Sequence, residues 1–228
     1  MISALKTNAS PALETSTTKP EIGNSELGDL RFRALLTDDA WANLPPAVRK
    51  RFSKRLNGGA TAIYSGRVTE IRVSKLGRVL AQILRVIGAP LPLSSTINTP
   101  TVVTVTEDAI SGGQNWTRLF ARERGFPQII HSVKRFSGPT GLEEYIGSGI
   151  AMALSIGVES GALVFRSTKY NLAFGHWRLP LPRWATPGEL TVSHNEVTPS
   201  SFLFTLHLEH RAFGILVHQE ALYDQERL

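Results

Sequence analysis

Residues 189–223 read ELTVSHNEVTPSSFLFTLHLEHRAFGILVHQEALY, three alternating segments joined by short connections. Glu189–Val197, Phe202–Glu209 and Ile215–Tyr223 each alternate in polarity or carry β-branched and aromatic residues. Thr198-Pro199-Ser200 separates the first two with turn chemistry. In the middle segment Phe202, Phe204, Leu206 and Leu208 share one face, and Leu203, Thr205, His207 and Glu209 share the other. Three strands in succession with short connections are antiparallel neighbours.

The same period of two runs back to Pro100. Thr101–Glu107, Gln114–Arg122, Gln128–Phe136, Leu142–Ile146, Ile150–Val158 and Ala162–Tyr170 read as strands, parted by Ser111-Gly112-Gly113, Gly138-Pro139, Gly147-Ser148-Gly149 and Glu159-Ser160-Gly161. Ala60–Val73 adds another, with Ala62, Tyr64, Gly66 and Val68 on one face. About nine or ten strands in a row approach the limit for an open twisted sheet, so curling or closure is expected. Upstream, Leu30–Leu56 reads as helical, interrupted at Thr37-Asp38-Asp39 and restarted at Pro45-Pro46. Lys75–Gly88 is a clear amphipathic helix: Leu76, Val79, Leu80, Ile83, Leu84 and Ile87 form a stripe expected to cover the sheet. Residues 1–28 read as a flexible or loosely packed tail. The expected fold is therefore mainly β (α+β), a single large curled antiparallel sheet or β-barrel-like fold with N-terminal helices. It occupies residues 29–228 as one domain, with helices at about 30–56 and 75–88.

The chain has 228 residues, 42% hydrophobic and 19% charged, with no cysteine. That length buries a core without staples, and the missing thiol excludes disulfides, Cys-zinc sites, iron–sulfur clusters and cysteine nucleophiles. No apolar run is long enough for a transmembrane helix. Met1–Leu30 has no basic segment followed by an apolar run, so a cytoplasmic protein is expected. The formal charge of +6 is uneven: residues 49–85 hold ten Lys/Arg against Glu70 alone. Such a segment is ordinarily a solvated helix face; it also suits anionic lipid or non-specific nucleic-acid contact.

The order of several short motifs is similar to a bacterial family, the domain of unknown function numbered 4166. These are Phe32-Arg33-Ala34-Leu35-Leu36, Leu44-Pro45-Pro46-Ala47-Val48-Arg49, Gly66-Arg67-Val68 and Ile87-Gly88-Ala89-Pro90 in the first half. Trp116-Thr117-Arg118-Leu119-Phe120, Glu144-Tyr145-Ile146-Gly147, Trp177-Arg178-Leu179-Pro180-Leu181-Pro182, Phe202-Leu203-Phe204 and Phe213-Gly214-Ile215-Leu216-Val217 follow. The resemblance covers about residues 30–223. It implies a soluble bacterial module, sometimes joined to a Rossmann-type oxidoreductase domain that this chain lacks. The chain departs from the family pattern twice. Lys50-Arg51-Phe52 stands where a histidine usually follows the Leu-Pro-Pro motif, and His218-Gln219 stands where Arg-Tyr is usual.

No nucleotide-binding, zincin or nucleophile-elbow motif is present. His207 and His210, three apart in a strand, point to opposite faces and need a bulge to share a metal, so no metal and no cofactor is expected. What remains is polar residues on apolar strands. If one face of the curled sheet lines a cavity, Arg118, Glu144, Arg166, His207 and His218 could converge inside it, with Glu144, His207 and His218 as acid–base groups. Trp116, Arg118, Arg166 and Trp177 would bind the ligand. A solvated face gives the same alternation, and His131 and His176 are weaker candidates. The small residues Ala151, Ala153, Ser155 and Gly157 allow close approach of another element or leave room for a ligand. The leading expectation is a domain binding a small hydrophobic molecule, capable of cofactor-independent isomerase, cyclase, dehydratase or other lyase chemistry. The alternatives are a non-catalytic partner of an oxidoreductase, or peripheral contact with lipid or nucleic acid through residues 49–85. No sequence-specific nucleic-acid binding is expected, and oligomeric state is not legible.

Overall fold

The computed structural model describes residues 28–225, apart from 87, 89–90, 93–95, 148 and 175–176. The expected tail falls almost wholly outside these residues, as does His176. Among the described residues three α-helices, Asp38–Ala42 (α1), Pro46–Phe52 (α2) and Lys75–Val86 (α3), accompany eleven strands. The strands are Thr61–Val73 (β1), Pro100–Glu107 (β2), Gln114–Phe120 (β3), Gln128–Arg135 (β4), Glu143–Gly147 (β5) and Ile150–Glu159 (β6). Ala162–Phe174 (β7), Trp177–Pro180 (β8), Glu189–Thr198 (β9), Ser201–His210 (β10) and Gly214–Gln225 (β11) complete the set.

Each strand pairs antiparallel with its neighbours in the order β6-β5-β4-β3-β2-β1-β11-β10-β9-β7, and β6 pairs with β7 to close a ten-stranded barrel. Closure satisfies the ladder of every strand in the ring, which an open sheet of this size would leave exposed at two edges. β8 is the exception to the expected layout: it runs beside the far half of β7, outside the ring. Arg178 of β8 reaches Glu143 (3.2 Å) and the Tyr145 hydroxyl. Ala151 and Ala153 on intervening β6 are fully buried, consistent with close approach over a small-residue face.

Because the strands alternate up and down, the connections divide between two ends. Residues 28–56 close one end. Thr37 caps α1 by accepting from the Ala40 amide (3.2 Å), and Pro46 starts α2, so the helical stretch breaks and restarts where the sequence placed the interruption and the Pro45-Pro46 start. Phe32, Trp41, Leu44, Val48 and Phe52 are buried there, and the Phe52 ring meets Phe32 (5.3 Å), Phe165 (5.8 Å) and His194 (5.1 Å).

α3 lies at the opposite end against β11. Ser74 caps it, its hydroxyl accepting from the Gly77 amide (3.0 Å). Its setting corrects the sequence expectation. Gly77 and Ala81 face the barrel with Leu80 and Leu84 beside them, while Leu76, Val79, Ile83 and Val86 face outward. Gly77 explains this: a Cβ there would stand 2.1 Å from the Leu216 carbonyl oxygen, so only glycine lets the helix sit on that strand. Gly77→Ala is expected to cost about 1–3 kcal/mol through this overlap, read as a lowered melting temperature; an unchanged melt would show that α3 does not dock this closely. The basic segment 49–85 is therefore not one patch, since α2 and α3 occupy opposite ends.

Candidate functional site

The inward side chains are set by strand parity. On β3, Trp116, Arg118 and Phe120 point into the barrel; on β4, Ile130, Ser132 and Lys134; on β5, Glu144. Cross-strand registers Trp116↔Ser132 and Lys134↔Glu144 place these groups side by side. The Lys134 ammonium donates to Glu144 Oε2 (3.0 Å), Arg118 lies 3.7 Å from Oε1, and Arg118 Nη1 donates to Ser132 Oγ (3.1 Å). The Lys134 Nζ also sits 4.7 Å from the Trp116 ring centre.

Burial alone would raise the Glu144 carboxyl. The facing Lys134 and Arg118 charges, with hydrogen bonds from Ser132 and Lys134, more than offset this and hold it at about 2. Burial pushes Lys134 below the ordinary lysine range, with Arg118 adding to the effect and Glu144 opposing it. Deeper in the barrel His194 is fully enclosed. Burial, followed by Arg51, Lys134 and Arg118, keeps its imidazole neutral. Arg51 of α2 lies 3.8 Å over the Phe202 ring, with Nε and Nη1 unpaired.

Above the ion cluster, toward α3, is a cavity of about 80 Å³. Leu84 of α3, Leu91, Ile130, Met152, Val192 and Leu206 supply apolar wall. Arg118, Ser132, Glu144, Tyr170 and Gln219 supply the polar wall. Gln219 is 2% exposed and its Nε2 has no hydrogen-bond partner. Burial raises the Tyr170 hydroxyl to about 12, so it remains a neutral donor.

A family model described as Domain of unknown function (DUF4166) matches residues 44–222. The chain belongs to this family. No curated protein and no solved structure matches the chain. The DUF4166 match spans α2 through nearly all of β11 and includes every residue of the ion cluster and the cavity wall. Of the segments Lys50-Arg51-Phe52 and His218-Gln219, Arg51 lies inside at the α2 end and Gln219 in the cavity wall, whereas Lys50 is exposed.

Of the seven residues assigned a site role from sequence, the structure brings Trp116, Arg118 and Glu144 together inside. The other four lie outside, which corrects the expected convergence. His207 alternates with the inward Leu206 and Leu208, and His218 with inward Gln219, so both imidazoles face outward. They face each other across β10 and β11 with their Nδ1 atoms 3.3 Å apart. Glu209, Glu70 and Glu220 lie 3.5–3.9 Å from them. Arg166 makes a paired contact with Glu159 on the outer wall, and Trp177 is exposed on β8. His131 is exposed and bonded to Thr117. A register shift does occur at Leu208/Glu209, but His210 stacks on Phe213 (4.7 Å). Among the described residues no three His, Asp or Glu side chains group as metal ligands. Lys134, Gln219 and His194 were missed. Strand alternation puts them on the same faces as Ser132, Ala221 and Val192, and that was the available signal.

Proposed function

We infer that this DUF4166 barrel binds a small, mainly apolar molecule with an anionic head. One observation carries the reading: a cavity with apolar walls ends at the Arg118 guanidinium and the Glu144 carboxylate, the latter already held by Lys134 outside the cavity lining, beside the unpaired Gln219 amide. Apolar burial would supply affinity, and the Arg118 guanidinium, with Lys134 occupying Glu144, would orient the head. A core packed solid would have favoured a partner module instead. Its volume of about 80 Å³ suits a short chain or single ring rather than a long lipid chain.

Among the described residues Glu144 is the carboxylate that lines the cavity. Held ionised at about 2 and paired with Lys134, it is a weak base and no general acid at neutral pH unless the ligand draws that cation away. Isomerase- or lyase-type chemistry would use it as the base, with Trp116 and Arg118 fixing the substrate. Binding is the part of the reading that the geometry supports best.

The test is native mass spectrometry of protein purified from its own host, followed by denaturing release, and calorimetry with hexanoate and hexanol. A bound acid, and uptake of hexanoate but not hexanol, is the expected result. Leu206→Trp, which fills the cavity, should abolish uptake. A clean apo mass with no hexanoate binding would sink the ligand reading and favour the partner module.

A further inference from the structure

Helix α3 is amphipathic, yet only half of its apolar stripe is used. Gly77, Ala81, Leu80 and Leu84 meet the barrel, leaving Leu76, Val79, Ile83 and Val86 to solvent along one flank. The same end of the barrel carries the β3–β4, β7–β8, β8–β9 and β10–β11 connections, because the strands alternate in direction. There Phe126, Trp177, Trp184 and Phe213 project with 91%, 80%, 85% and 63% exposure. Among the large apolar side chains exposed in the described residues, only Leu30, Ile110 and Val197 lie toward the other end. Charge follows the same asymmetry. Lys75, Arg78 and Arg85 on α3, with Arg122, Arg124, Arg183 and Arg211 on the loops, face a single acid, Glu123, in segments 74–86, 121–127, 181–188 and 211–213. All seven cations are exposed.

We propose that the α3 end of the barrel docks on the surface of a membrane containing anionic lipid. Aromatic rings on three separate loops and at the start of β8, with an outward aliphatic helix flank, match the bilayer interface. The surrounding cations match its negative surface potential. Nucleic acid would satisfy the cations but offers little to four aliphatic chains, so charge and apolarity together favour lipid. The docking end is also where Leu84, Leu91, Pro92 and Pro187 close over the cavity. The proposal nevertheless stands without a ligand in the cavity, since it uses only the outer side chains.

The experiment is sedimentation of the full chain with vesicles of phosphatidylcholine alone, or of equal parts phosphatidylcholine and phosphatidylserine, at low and high salt. Tryptophan emission is followed in parallel. Binding is expected only to the mixed vesicles, weakening with salt. It should bring a blue shift from Trp177 and Trp184, because Trp41 and Trp116 are already buried. Val79→Glu/Ile83→Glu, at exposed positions that leave the fold intact, should weaken binding at least about tenfold. Phe126→Ser/Trp184→Ser is the independent second variant and should do the same. Absence of binding overturns the proposal. If a second copy covers the face instead, a dimer that Val79→Glu/Ile83→Glu converts to monomer would show it. If residues 1–27 cover it, that variant would expose them to limited proteolysis. Binding to single-stranded DNA with none to vesicles would likewise replace lipid with nucleic acid.

Discussion

Glu144→Gln is expected to lower the unfolding free energy by about 3–5 kcal/mol, because it leaves Lys134 and Arg118 in the barrel with no carboxylate between them. The Lys134 side chain is 4% exposed and that of Glu144 8%, so water cannot take the place of the missing anion. This differs from the behaviour expected of a site carboxylate on a solvated wall, whose loss would hardly move the melting temperature. The amide can still accept from Lys134, but it returns no charge. Lys134→Met in the same chain should recover most of the loss, since Arg118 keeps its hydrogen bond to Ser132. Equal melting temperatures for Glu144→Gln and the parent would show that this ion pair contributes nothing to the fold.

The same carboxyl sets an acid limb. Its folded pKa of about 2 lies below its ordinary 4.5, so the folded state favours the ionised form. That stabilisation is complete above the unfolded value and is lost as pH falls through the folded one. A shift of this size corresponds to about 3 kcal/mol at neutral pH. Lys134 works in the opposite direction: its pKa is held down by burial, so carrying its charge in the fold has a cost that offsets part of the gain. Urea titrations between pH 6 and 2 should therefore show stability falling toward acid, with a shallower fall in Glu144→Gln. An identical slope in both proteins would place the acid limb elsewhere.

Strand positions were legible because alternation and turn residues are local signals. The observed bounds of β2, β3, β4 and β9 lie within two residues of those read from Thr101–Glu107, Gln114–Arg122, Gln128–Phe136 and Glu189–Val197. Barrel closure followed from strand number. Which face turns inward was not local. On β4, hydrophobicity would send Ile129 and Val133 inside, yet Ser132 and Lys134 go in because their register sets them beside Trp116 and Glu144. On β10 both faces carry leucine, and only the enclosed Phe202 and Phe204 show which is interior. The rotation of α3 depended on one carbonyl of β11 meeting Gly77, a contact that periodicity does not encode. β8 escaped because its four residues run into Pro180-Leu181-Pro182 and pair with only the far half of β7.

Arg118→Met is expected to weaken hexanoate binding by about 30-fold or more, the scale of deleting one member of a buried charged contact. Arg118 is the cation free to serve a ligand: it stands 3.7 Å from Glu144, whereas Lys134 donates to that carboxylate at 3.0 Å. Its removal leaves the tighter pair intact, so the melting temperature should fall less than in Glu144→Gln. The two variants then separate binding from stability. In Glu144→Gln, measured where the protein remains folded, a carboxylate that competes with the ligand for Arg118 is gone, and hexanoate should bind at least as tightly as to the parent. A folded Glu144→Gln that loses hexanoate while Arg118→Met keeps it would reverse these roles. Glu144 would then be the group that holds the ligand, as the base of an acid–base site must, and Arg118 would serve only to keep that carboxylate charged.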